Sequence, residues 1–200
     1  VSSPMLHYVY SKSTWGAILQ MDPSYINEIT LKGGPADSEN GDYYRAIHLH
    51  LVTKSGLPYE IQVQSKGMAF WHKWDHKTVF KGPYEKGSVA RHHLKQYSNA
   101  WARVIRWLEA ATTNGETRWN SLTTIMNDYG VQIDIKDIHW LSDLDKQLSL
   151  KYQIPREHGF FYDDPKLSTH ERRDAYMYIF KLWTHLNDGL KVSTPRRERR

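Results

Sequence analysis

The sequence predicts an α+β domain, a mainly antiparallel sheet flanked by helices, and three observations lead there. Apolar and polar residues alternate along 46–52 and 58–64, the period of a half-buried strand. From residue 88 onward apolar residues recur three and four apart, the period of an amphipathic helix. The strands come first and the helices after, without the regular alternation that builds a parallel sheet.

Residues 5–20 mix Leu6, Tyr8, Trp15, Ile18 and Leu19 without a clean period, so no element is assigned there. Ile26 to Leu31 alternates and predicts a strand, and GGPADSENGD at 33–42 holds turn-favouring residues and predicts a mobile surface loop. Beyond the strands, Leu94, Tyr97, Trp101, Val104, Ile105 and Leu108 predict a helix between a Ser88 cap and Asn114-Gly115. Trp119, Leu122, Ile125, Met126 and Tyr129 form a second stripe that stops at Gly130. A third helix, around Leu144 and Leu148, is placed from Ser142. The fourth starts at a capping box of Ser168 and Glu171, carries Tyr176, Ile179, Trp183 and Leu186, and ends at Gly189.

The chain has 200 residues, 40% hydrophobic and 24% charged, which suffices for one core. No repeat or long linker divides it. The expectation is one domain over 1–190, with the sheet in 25–80, helices in 88–189 and a basic tail at 191–200. Apolar runs fall far short of the ~20 residues that span a bilayer, so no membrane segment is expected. The first residue is Val1, so a processed product or an excised piece is expected. Cysteine is absent, which excludes disulfides, thiolate nucleophiles and cysteine-rich zinc modules. Of the net charge of +5, Lys191, Arg196, Arg197, Arg199 and Arg200 against Glu198 place +4 in the tail. Such an end reads as solvated chain before it reads as an RNA grip.

The two central strands fix a register. With Lys54-Ser55-Gly56 as a three-residue loop and Gly56 left-handed, Thr53 faces Leu57, His50 faces Glu60 and His48 faces Gln62. A loop one residue longer or shorter would set Leu51 against Glu60. One face is then apolar, and the other carries His48, His50, Glu60, Gln62 and Gln64. Three readings of the polar face stay open at this point. It is a solvated face, as antiparallel sheets commonly have; or His48, His50 and Glu60 hold a transition metal as cupin-type centres do; or Glu60 holds a hard cation with phosphate oxygens. Arg45 alternates with Ile47 onto the apolar side unless a bulge intervenes.

Residues YYRAIH (43–48), EIQVQS (60–65) and WHKWDH (71–76) give three ordered motifs. In these the chain resembles the RelA/SpoT-type alarmone synthetase family, over about residues 25–80. The resemblance implies a nucleotidyltransferase-like synthetase fold that transfers the β,γ-pyrophosphate of ATP, with Mg²⁺, to the 3′-hydroxyl of a purine nucleotide, GDP, GTP or an adenosine nucleotide. It implies Glu60 as magnesium ligand and catalytic residue helping to activate the acceptor hydroxyl. Tyr44 would stack on the acceptor base, and His48 and Gln62 would hold its phosphates or sugar. Arg45, His50, Gln64 and His76 are further candidates, with Trp71 and His76 buttressing the sheet. A stand-alone catalytic unit is similar to the small, including toxic, synthetases. That likeness implies cytoplasmic action, delivery there for an effector domain, and an antitoxin or immunity protein as partner; the 3′ end of tRNA is the other acceptor the family offers. A nucleotide- or RNA-binding module without catalysis is the alternative outside enzymes.

The sequence departs from the family pattern in three places. Tyr43 replaces a glycine, Gln64 and Ser65 replace arginine and threonine, and the upstream Lys-Ser helix and second metal-binding aspartate are not recognisable in 1–42, where Asp22 has a different context. His72 and His76, the His92-His93 pair, and Trp101, Trp119 and Trp183 on helix stripes are read as structural.

Overall fold

The computed structural model describes residues 11–32, 44–114, 119–135, 139–161 and 170–193. The chain gathers into two compact units, one up to Ser65 and one from Lys66 on. The class is α+β: a three-stranded antiparallel sheet and six α-helices among the described residues. None of these helices is long and apolar enough to cross a membrane.

In the first unit a short helix, α1 (Lys12–Leu19), occupies part of the stretch left unassigned by sequence. Its signals are local rather than periodic. The Ser11 hydroxyl accepts from the Thr14 amide, and Gln20 ends the helix in the left-handed region at φ 52°. Asp22 accepts from the Ser24 amide at 2.9 Å, capping a single 3₁₀ turn, Pro23–Tyr25.

Strands β1 (Ile26–Lys32), β2 (Ala46–Val52) and β3 (Pro58–Val63) follow in the spatial order β1-β2-β3. The expected register holds: His50 pairs with Glu60, His48 with Gln62, and the Thr53 amide donates to the Leu57 carbonyl. Gly56 stands at φ 82°, the conformation that lets three residues close this hairpin without splaying its strands. On the other side of β2, Ile29 pairs with Leu49 and Thr30 with His48, with a bulge between Ile26 and Glu28. Trp15, Ile26, Leu49 and Leu51 are buried together on the apolar face, with Leu19, Met21, Ile29, Ile47, Ile61 and Val63 around them. The sheet thereby has one side closed by its own helix, and the other side is where the polar file emerges.

The second unit is helical. α2 (Lys66–Asp75) runs into a π turn, His76–Phe80; α3 (Val89–Asn114), α4 (Trp119–Asp128), α5 (Trp140–Lys151) and α6 (His170–Ser193) follow. Ser88 caps α3 as expected, its hydroxyl accepting from the Arg91 amide at 3.2 Å. Gly130, at φ 62°, follows α4. Two boundaries differ from the sequence reading. α5 begins at Trp140, because Trp140 and Leu141 are buried and extend the apolar stripe ahead of Ser142. α6 continues through Gly189 to Ser193, since a lone glycine weakens a helix without ending it. The loop 33–42, the Ser168 cap, the Trp119 side chain and the tail beyond Ser193 lie outside the described residues.

This unit has its own core, with Trp71, Tyr97, Trp101, Trp140 and Ile179 buried. Gly67 marks a tight approach, since a Cβ there would stand 2.5 Å from Ile105 Cγ2; its amide donates to Glu109 at 2.8 Å. At the centre Asp145 accepts from the Tyr97 hydroxyl and from Trp101 Nε1, and the Tyr97 oxygen accepts in turn from the Phe160 amide. Burial and the Asp145 carboxylate push the Tyr97 phenol far above its ordinary value. Trp71 donates its indole N–H to the Ser98 carbonyl at 2.9 Å.

Candidate functional site

Tyr44, His48, His50, Glu60, Gln62 and Gln64 stand together on the polar face of the sheet. The reason is positional. His48 and His50 alternate along β2, Glu60 and Gln62 along β3, and the register sets the four side by side. Tyr44 and Gln64 come from the chain just before β2 and just after β3, at the same end of the hairpin.

Glu60 is the hub. Its Oε1 accepts from Gln62 Nε2 at 2.7 Å, and its Oε2 lies 3.0 Å from His48 Nδ1 and 3.6 Å from His50 Nδ1. The Gln62 hydrogen bond is the chief cause that lowers the Glu60 carboxyl below its ordinary value; partial desolvation opposes it, and the bond to His48 adds to it. Its side chain is 34% exposed, so the charge faces the surface and stays open to an incoming ligand.

Hydrogen-bond directions around Tyr44 follow from Gln62. With its amide nitrogen on Glu60, Gln62 turns its Oε1 to Tyr44, whose hydroxyl donates to it at 2.9 Å. Gln64 Nε2 donates to the same hydroxyl oxygen at 2.9 Å. His48 Nε2, 3.0 Å from that oxygen, therefore faces a hydroxyl whose proton is already committed, and donates to it. Gln64 thus holds the tyrosine hydroxyl.

Two residues on this face were missed by sequence reasoning. Thr30 and Glu28 of β1 pair in register with His48 and His50, and Thr30 Oγ1 lies 3.4 Å from His50 Nε2. The alternation from Ile26 to Leu31 carried the signal; what lacked was the pairing of β1 with β2. Arg45, half-buried, immediately precedes β2. His76 belongs to the helical unit, where its ring stacks on Phe80 and meets His72 edge-on.

Among the described residues, His48, His50 and Glu60 are the one set of histidine and acidic side chains grouped as a metal would need, with a ligand atom of each within 4.8 Å of the others. A cleft of about 290 Å³ lies within the helical unit, lined by Phe70, Lys73, Trp74, Lys77 and Arg172 among others. Its Lys73 pairs with Glu171, and no such ligand set lines it. Comparison of the chain with protein-family models, curated proteins and solved structures found no match.

Proposed function

We propose that the chain is an ATP-dependent pyrophosphokinase of the alarmone-synthetase kind, acting on a purine nucleotide. One observation carries this reading: Tyr44 and His48 of one motif and Glu60 and Gln62 of another form a single hydrogen-bonded cluster on an open sheet face, around a carboxylate that stays ionised.

The chemistry asks for such a cluster. The acceptor hydroxyl gives up its proton to the Glu60 carboxylate or to water as its oxygen bonds to the β-phosphorus of ATP, the bond from that phosphorus to the α,β-bridging oxygen breaks, and AMP leaves. Such transfer depends on positioning and on neutralising phosphate charge more than on covalent chemistry. Glu60 is the residue that would hold Mg²⁺, an ion commonly bound through one or two carboxylates and substrate phosphates; bound there it would neutralise the transferred group. Tyr44 offers a ring for the acceptor base, and Gln62 and His48 offer polar atoms to its sugar or phosphates.

The test is AMP release from ATP with GDP, GTP, adenosine nucleotides or tRNA as acceptor, the labelled products being separated by thin-layer chromatography. Acceptor-dependent AMP release that Glu60→Gln abolishes is the expected result. Binding of nucleotide without AMP release from any acceptor would instead identify a non-catalytic module. Growth arrest on expression in the cytoplasm, relieved by a partner protein, is what the toxin branch would add.

A further inference from the structure

We propose that His48 Nδ1, His50 Nδ1 and Glu60 Oε2 form a binding site for a divalent first-row transition-metal ion. The inference stands on donor geometry and does not need pyrophosphate transfer; an ion held so takes the Glu60 oxygen that the reading above gives to Mg²⁺ and would stand in its place.

Each of the three side chains has its other polar atom committed. His48 Nε2 is turned to the Tyr44 hydroxyl at 3.0 Å, His50 Nε2 to Thr30 Oγ1 at 3.4 Å, and Glu60 Oε1 accepts from Gln62 at 2.7 Å. What remains is one atom from each, and the two imidazole nitrogens both face Glu60 Oε2. This is the arrangement by which outer partners fix the tautomer and orientation of metal-binding imidazoles.

The spacing agrees. With metal–ligand bonds of about 2.0–2.2 Å, neighbouring donors on a tetrahedron or octahedron stand about 3.0–3.6 Å apart. The two imidazole nitrogens lie 3.0 and 3.6 Å from Glu60 Oε2.

Two imidazoles and one carboxylate leave coordination positions open on the solvent side, and imidazole ligands select zinc, iron, cobalt or nickel over magnesium. His50 is 39% exposed, so an ion can reach the site and a phosphate or water oxygen can complete it.

The test uses the full chain, stripped with a chelator, without nucleotide. Co²⁺ is titrated by its visible absorption and Zn²⁺ by calorimetry, with Mg²⁺ in excess as competitor. One equivalent per chain is expected, undisplaced by Mg²⁺, with His50→Ala and Glu60→Gln each weakening binding at least tenfold while circular dichroism is unchanged. Cu²⁺ bound to the unmodified chain should show two imidazole nitrogens by pulsed electron paramagnetic resonance, a readout that needs no variant. No stoichiometric binding, displacement by Mg²⁺, unchanged affinity in both variants, or a spectrum without two imidazoles would each overturn the proposal. Absence of AMP release would leave it standing and would count only against pyrophosphate transfer.

Discussion

Glu60 pairs in register with His50, yet its Oε2 lies closer to the diagonal neighbour His48, 3.0 Å against 3.6 Å. The diagonal contact links a nearly buried imidazole to a carboxylate at the surface, so one substitution at either end reaches both the hydrogen-bond network and the solvent face. Glu60→Gln keeps the side chain's shape and removes the charge. AMP release should fall about 100-fold or more, the scale at which removing a single stabilising group in a reaction centre acts. Circular dichroism should stay that of the parent, with the melting temperature lowered only by the small contribution of the ionised carboxyl, and undiminished turnover would exclude Glu60 from the chemistry.

Tyr44 separates ring from hydroxyl. Tyr44→Phe deprives His48 Nε2 and Gln64 of an acceptor and Gln62 of a donor, and should lower stability by about 1 kcal/mol. If the ring stacks on the acceptor base, Tyr44→Phe retains acceptor KM and Tyr44→Ala raises it. Equal KM values for the two variants would rule out stacking.

The charge state of Glu60 is set chiefly by Gln62. A carbon-detected NMR titration should place the Glu60 midpoint below that of a free glutamate, and Gln62→Ala should move it upward. A carboxyl depressed in the folded state contributes stability that is fully present above its unfolded value and is lost as pH falls through the folded one. Acid unfolding of the sheet unit should therefore begin at higher pH in Gln62→Ala than in the parent.

In the helical unit Asp145→Ala removes the buried acceptor shared by the Tyr97 hydroxyl and Trp101 Nε1. A loss of about 2–4 kcal/mol in denaturant unfolding is expected, the cost of stranding buried donors. Asp145→Asn, which keeps an oxygen in place, should lose less. Equal losses would show that the charge, and not the acceptor, is what matters.

Gly56→Ala tests the turn. Its Cβ would meet nothing within 4 Å, so only the positive φ of 82° opposes it, at about 1 kcal/mol. The variant should unfold more easily while amide exchange keeps the His50–Glu60 register, because the apolar alternation holds that register on its own.

The hairpin was legible because two constraints agreed. Alternation places Leu49 and Leu51 inward, and Gly56 permits a single loop length, so His50 could fall only opposite Glu60. The long helix α3 was legible from its stripe and its Ser88 cap. α1 was not, since eight residues give barely two turns of period and Ile18 remains 61% exposed. The polar file could be read as a face but not as a network: which nitrogen of His48 meets Tyr44 depends on side-chain torsions that no spacing encodes. Thr30 and Glu28 were missed because pairing of β1 with β2 crosses a loop whose length fixes no register.

Glu60 and Gln62 both ride on β3, an edge strand whose residues are largely solvent-facing, whereas His48 and His50 are anchored in the central strand. Strand fraying at that margin would pull the carboxylate away from the imidazoles while the packed layer beneath stayed intact. Occupancy of the face by an ion or substrate would clamp the margin down. Amide hydrogen exchange in Tyr59 to Val63 is accordingly where ligand engagement should register first, well before any change in global melting.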